Sequence, residues 1–413
     1  MKKPTLLIVF LTVFIDVVGF SIIFPLFPEM LDYYLELDGK DSLIGSLVAW
    51  LEGFAGGDKN AVATLFGGVL GSLYGVLQFV FAPIWGAYSD RHGRRPTLVF
   101  TLGGIMAGNI STASAVAADI TSGKNRASGM ILIGVALGLG FILGPAIGGF
   151  AYGWQLVEPG GAVAGLALHP FSGPAIIALA IAGVNWLLVI FVLSESLPPE
   201  KREQHPAKRG FNPFAKLKHI NLPGVARTNL MYFAYWCAFS SVEFTITFFA
   251  TETLGFKPMD IAWMFVFIGL SLIFFQGGVA RQLIKRVGER RTALVGVCCT
   301  LPGFLIIGNA TTTEVLYGGL LLMTAGSGMT MPSLNSLVSR YTPADRQGLS
   351  LGVFRSLGSL SRAIGPIMGG LLYWKFDSSM PYWVGAAFLV VPFFMALNLP
   401  PVPDHDDEVS SEP

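Results

Sequence analysis

Hydrophobic residues in this 413-residue chain come in long unbroken runs. They neither alternate with polar residues, as in a half-buried strand, nor recur as the single stripe of an amphipathic helix. The runs cover residues 5–27, 62–84, 97–120, 127–150, 173–193, 228–250, 260–280, 292–309, 314–338, 348–373 and 381–399. Each approaches the roughly 20 residues a helix needs to cross a bilayer core. A helix is the open-chain element that satisfies its own backbone there. The pattern predicts an all-α polytopic membrane protein with about 11 apolar spans. The first run follows Lys2 and Lys3 but carries Asp16 and lacks a small-residue cleavage site, so it reads as a retained span.

The polar stretches between runs give orientation. Of the 27 lysines and arginines, 21 fall in residues 1–4, 86–96, 121–126, 198–227, 281–291 and 340–346. Four lie in the other connections (Lys40, Lys59, Lys257, Lys375), and Arg355 and Arg362 sit inside an apolar run. Basic connections face the cytoplasm, which predicts both termini on that side of a plasma or bacterial inner membrane. The stretch 194–226 is the longest basic, proline-containing connection. It divides a bundle over 1–193 from a second over 227–400, with an acidic tail from 401 to 413. The outer stretch 28–61 predicts a short amphipathic helix near 41–54.

Composition changes this picture little. Hydrophobic residues are 53% and charged residues 13%, about half the charge of a soluble protein. The 50 glycines suit close helix packing in lipid. A net charge of +1 without a basic stripe gives no reason to expect a nucleic-acid partner. Cys237, Cys298 and Cys299 lie in or beside apolar runs and suggest packing, not disulfides or a metal site. The five histidines fall in connections or the tail, and no phosphate-cradling loop of the GxxxxGK[ST] kind occurs. The chain is therefore expected to be neither an enzyme nor an ATP-driven pump, and to need no cofactor. Its expected partners are a small-molecule substrate, protons and the lipid bilayer, and it is expected to be a monomer.

The two halves repeat. Residues 86–95 read GAYSDRHGRR and 277–291 read GGVARQLIKRVGERR; 144–149 read GPAIGG and 365–370 read GPIMGG. Parallel repeats of this kind place a substrate site near the midplane between halves. Gly93 matches Gly288 at an offset of 195, whereas Gly144 matches Gly365 at 221. The first half is thus 26 residues short between these landmarks, about one helix. Only three apolar runs separate the basic stretches 86–96 and 198–227, an odd number that cannot return the chain to one side. Either 97–120 forms two short re-entrant pieces, or this half carries a deletion.

The sequence Gly86-Ala-Tyr-Ser-Asp90-Arg91-His-Gly93-Arg94-Arg95 resembles the signature loop GxxxDRxGRR of the major facilitator superfamily. Gly144-Pro145-Ala-Ile-Gly148-Gly149 resembles the signature of that superfamily's proton-coupled antiporters. Asp16-Val-Val-Gly19 with Pro25 and Pro28, Gln78 to Gly86, and the run from Gly108-Asn109 to Asp119 are similar to tetracycline-type efflux pumps. Glu243, Gln276 and the Arg355 and Arg362 segment resemble the animal tetracycline-transporter-like branch. The resemblance covers about residues 5–400. It implies a major facilitator fold of two pseudo-symmetric bundles, with roughly one helix missing from the first. It implies export of amphipathic organic compounds, drugs or organic anions, in exchange for protons. It also implies that Asp90 caps a neighbouring helix and joins a charge relay that holds one transporter state. The efflux members' fourth-span arginine has no counterpart here, since Phe100 stands four residues before Gly104.

Charged groups in hydrocarbon are costly and mark function. Asp16 and Glu243 are candidate proton carriers, because a desolvated carboxyl tends to hold a proton. The bland alternatives are a helix-to-helix hydrogen bond for Asp16 and a buried arginine pair for Glu243. Arg362 and Arg355, seven residues apart, lie near one helix face; Arg362 suits an anionic substrate or Glu243, and Arg355 suits snorkelling to the interface. Gln78, Asn109, Gln276 and Asn335 are candidate substrate ligands, or equally interhelical hydrogen-bonding groups. Two other readings stay open: a facilitator or symporter of a small organic solute, and a non-transporting truncated isoform.

Overall fold

The computed structural model describes residues 6–27, 29–30, 33, 43–55, 59–101, 109–121, 123–152, 162–163, 166–167, 171–197, 199–202, 223–342 and 347–401. It divides into two compact units, Met1–Phe211 with Ile246–Gly269, and Asn212–Thr245 with Leu270–Pro413. The described chain is helical apart from one two-residue antiparallel pair, Ala162–Val163 with Leu166–Ala167.

In chain order the helices are α1 Leu6–Ser21, α2 Leu43–Ala55, α3 Lys59–His92, α4 Arg94–Thr101, α5 Asn109–Ile120, α6 Gly123–Tyr152 and α7 Ser172–Phe191. They continue as α8 Pro223–Leu254, α9 Pro258–Ile273, α10 Arg281–Gly308, α11 Thr313–Arg340, α12 Gln347–Lys375 and α13 Met380–Leu397. A 3-10 turn at Phe24–Leu26, a single turn at Pro199–Arg202 and a π-helical stretch, Phe274–Ala280, complete the described set. Among the described residues seven helical segments are long and apolar enough to cross a membrane. One of them, Pro258–Gly308, runs 51 residues through the basic stretch 281–291. Gly288 breaks it at φ 82°, so it supplies two spans. Helices α11 and α12, with 28 and 29 residues, are also longer than the bilayer core requires. Large apolar side chains such as Leu179, Phe191, Leu270, Phe274 and Phe394 are exposed on the helices, as expected of a protein whose surroundings are lipid tails and not water.

The expected helix near 41–54 is α2, which packs on α3. The run 97–120 divides into α4 and α5, with 8 and 12 residues. At 1.5 Å per residue these extend about 12 and 18 Å, against about 30 Å of hydrocarbon, so neither crosses alone.

Glycine ridges set the packing of α6 on α1. A Cβ on Gly140 would lie 2.7 Å from the Val17 side chain, one on Gly144 would strike Ser21 Oγ, and one on Gly148 would strike the Ile22 carbonyl. The close approach lets Ser21 Oγ donate to the Gly140 carbonyl at 2.9 Å. Asn185 of α7 likewise donates through Nδ2 to the Thr12 carbonyl at 2.9 Å. The second unit repeats this contact. A Cβ on Gly365 would lie 2.6 Å from Ser240 Cβ, and one on Gly369 would lie 2.8 Å from the Ser241 carbonyl oxygen. The glycines correspond at the offset of 221 seen in the sequence. Their partners, Ser21 with Ser240 and Ile22 with Ser241, correspond at 219.

Candidate functional site

The signature loop is built where α3 ends at His92 and Gly93 turns the chain at φ 105° into α4. Arg94 is buried and stands at the centre. Its Nη1 lies 2.6 Å from Asp90 and its Nε 3.0 Å from Asp119 at the end of α5, while Nη1 also donates to Ser89 Oγ at 2.6 Å. Glu195, from the stretch after α7, covers the start of α4. It accepts from the Arg94 backbone N–H at 2.8 Å and the Arg95 backbone N–H at 3.3 Å. A carboxylate suits this place because the first N–H groups of a helix have no partner within it. Ser196 Oγ donates to Asp119 at 3.1 Å, and Arg202 pairs with Glu195 at 3.3 Å. The positive φ of Gly93 favours glycine there, and a Cβ would also displace the ends of the Glu195 and Arg202 side chains. The Arg95 guanidinium donates to the Ile190 carbonyl. Gly86 contributes its carbonyl to Ser89 Oγ at 2.8 Å, and Arg91 is exposed. The structure thus joins Asp90, Gly93, Arg94, Arg95 and Asp119, and it adds Glu195, which no motif pointed to.

The second unit has the same device with its signs exchanged. Gly288 again has positive φ, and the next residue is Glu289, paired with Arg340 at 3.0 Å and accepting from Ser336 Oγ at 3.0 Å. Glu289 stands 195 residues after Arg94, and Arg340 stands 221 after Asp119.

The intramembrane groups fall on the first helix of each unit. Asp16 is half-buried on α1 and Glu243 half-buried on α8. In the register set by the glycine contacts they are not equivalent: Asp16 matches Tyr235, and Glu243 matches Phe24. Tyr232, Trp236 and Glu243 share one face of α8, being four and seven residues apart. The Arg362 guanidinium of α12 sits 4.5 Å above the Trp236 ring, a cation–π contact. Glu243 is within electrostatic reach of Arg362. Tyr232 lies near both Arg362 and Arg355 and stacks on Phe354 at 3.7 Å. Trp236 Nε1 is buried beside Tyr232. In the same register Glu243 and Arg362 match two rings of the first unit, Phe24 and Phe141. Phe20, Phe24 and Phe141 pack there with centroids 5.5, 6.0 and 6.2 Å apart.

Gln78 is buried on α3, and among the described residues no hydrogen bond reaches its Oε1 or Ser72 Oγ, six residues earlier. Buried polar atoms left so are the groups that water or a substrate satisfies. Gln276 lies half-buried in the π-helical stretch, a feature frequent at functional sites. Asn335 is half-buried on α11. The Asn109 side chain lies outside the described residues. Gly144, Pro145 and Gly148 are buried in the α6 contact with α1; Gly149 faces α9, where a Cβ would strike Ala262.

A family model described as Major Facilitator Superfamily matches residues 9–113, 100–366 and 279–412. The chain belongs to the major facilitator superfamily. It is 30% identical over 460 residues to the mouse Major facilitator superfamily domain-containing protein 10, covering all of this chain and 95% of that one. It is 28% identical to the class C tetracycline resistance protein of Escherichia coli, over 97% of each chain. A crystal structure described as the human organic anion transporter MFSD10 (TETRAN) shares the fold with a TM-score of 0.75 and 30% identity, covering 95% of this chain and 98% of that one. A D-xylose-proton symporter shares the fold alone, with a TM-score of 0.68 at 14% identity and coverage of 96% and 97%. As a member of this superfamily the chain is a multi-pass membrane transporter of small molecules, and not an enzyme.

Proposed function

We propose that this superfamily member is a secondary active exporter, moving amphipathic organic compounds of the drug or organic-anion type in exchange for protons by alternating access. The observation that carries the reading is the set on α8 and α12: a guanidinium over an indole, with a carboxyl in reach. A guanidinium braced on a ring offers a fork of donors to a carboxylate and an apolar face to an aromatic body. Relatives described as an organic anion transporter and as tetracycline resistance proteins support the substrate class.

In this reading Asp16 and Glu243 carry the protons. Arg362, Gln78, Gln276, Asn335 and Asn109 contact the substrate. Gly86, Asp90, Arg91, Gly93, Arg94, Arg95 and Asp119 hold one transport state. Gly144, Pro145, Gly148 and Gly149 let the α6 helix pack closely enough to prevent leak. The protein acts as a monomer in a plasma or bacterial inner membrane, with both termini cytoplasmic. Its bundles span 1–193 and 227–400, joined by a linker over 194–226 and followed by a tail over 401–413.

Asp16→Asn and Glu243→Gln separate the carriers from the substrate contacts. Each removes one titrating site and keeps the shape. Both variants should bind substrate and exchange it for substrate, yet fail to move it uphill on an imposed proton gradient. Uphill transport retained in both would remove the two carboxyls from the mechanism.

A further inference from the structure

We propose that α4 and α5 are the two arms of a re-entrant element that both open on one membrane face, so that Thr121 and the start of α6 lie on the same side as 86–96 and 195–202. Four observations meet here. First, over their described residues α4 and α5 are too short to cross singly, and they pack on each other. Second, the first residue of α4 is paired with the penultimate residue of α5, Arg94 with Asp119 at 3.0 Å. The two open ends are therefore adjacent. One turn further in, Leu98 shares a buried cluster with Val116 and Ala117, the order expected of antiparallel neighbours. Third, the exit stretch of α7 is bound to the same ends. Ser196 donates to Asp119, and Glu195 accepts from the start of α4. Fourth, the first turn of α6 is basic, with Lys124 and Arg126, as helix ends on the cytoplasmic face are.

The second unit shows what has been shortened. Glu289 and Arg340, the sign-exchanged equivalents of Arg94 and Asp119, bracket two long antiparallel helices, α10 after its Gly288 break and α11. Between these landmarks lie 52 residues in the second unit and 26 in the first, both ends included. The deficit amounts to about one helix in length. It falls between the two ends of a helix pair and leaves both ends clasped. A helix pair with arms this short crosses the membrane zero times instead of twice, and parity is kept. The chain then makes ten crossings with both termini on one side, and the odd count of runs between 86–96 and 198–227 is resolved. No part of this depends on the transported substrate.

Sidedness decides it. In a background with Cys237, Cys298 and Cys299 replaced, His92→Cys, Ser122→Cys and Gln155→Cys are labelled with a membrane-impermeant maleimide in sealed and then permeabilised vesicles. The hairpin predicts that Ser122→Cys reacts from the same side as His92→Cys, and Gln155→Cys from the opposite side. Labelling of Ser122→Cys from the side opposite His92→Cys would overturn it. A second measurement avoids dependence on labelling: Arg94→Cys with Asp119→Cys should be joined by a short bis-maleimide in folded protein. A folded double variant that resists joining would equally overturn the hairpin.

Discussion

Gly148→Leu and Gly369→Leu should each leave little folded, monodisperse protein, while Gly183→Ala leaves the yield unchanged. A Cβ on Gly148 meets the Ile22 carbonyl, and one on Gly369 the Ser241 carbonyl at 2.8 Å. Backbone cannot rotate away as a side chain can. Overpacking in a core costs about 1–3 kcal/mol even where side chains give way. Here α1 and α6, or α8 and α12, must separate, and the Ser21 bond to the Gly140 carbonyl is lost with them in the first case. Loss of close packing matters more in lipid, where little hydrophobic force holds helices together. Gly183, by contrast, has nothing within 4 Å of a Cβ. Elution from a sizing column and the thermal midpoint in detergent check the contrast. Wild-type behaviour of Gly148→Leu would mean that α1 and α6 are not in contact at the ridge.

Arg362→Gln should lower transport of an aromatic carboxylate at least tenfold, with Arg362→Lys partly active. Ten-fold corresponds to about 1.4 kcal/mol, less than a charge-assisted hydrogen bond usually contributes, about 1.5–3 kcal/mol. Lysine keeps the charge but loses the planar fork that stacks on Trp236. Trp236→Leu should weaken the same substrate while leaving Arg362 in place, because it removes the ring 4.5 Å below the guanidinium. Initial rates over a range of substrate concentrations separate the two effects. Full activity in Arg362→Gln would move anion recognition elsewhere.

How far the sequence could be read depends on the range of the interaction. The runs of apolar residues identify the long helices because hydrocarbon imposes one length and one element. The repeated Gly-Pro-x-x-Gly-Gly segment locates the ridge, since small residues four apart form one helix face. Hydropathy has no direction, so it says neither which face of α8 meets α12 nor that Trp236 lies under Arg362, 126 positions away. Asp16 and Glu243 look like a pair by helix order, yet the glycine contacts set a register in which they are eight positions out of step. Glu195 carries no local signal in its linker; its place over α4 follows from where α7 ends. The shortened 94–120 region shows in the sequence as a deficit of 26 residues and an odd count of runs. The Arg94 pair with Asp119 is what gives that deficit a shape.

The central claim is tested most directly by uptake of an aromatic organic anion into proteoliposomes under an imposed proton gradient, with wild-type protein beside Asp16→Asn. Accumulation above equilibrium that collapses with a protonophore, and that is lost in Asp16→Asn, is the predicted result. Uptake that only equilibrates, indifferent to the gradient, would contradict proton exchange and leave a facilitator. No uptake from correctly inserted protein, over a broad panel of anions and drugs, would contradict transport itself and point to a truncated, non-transporting form.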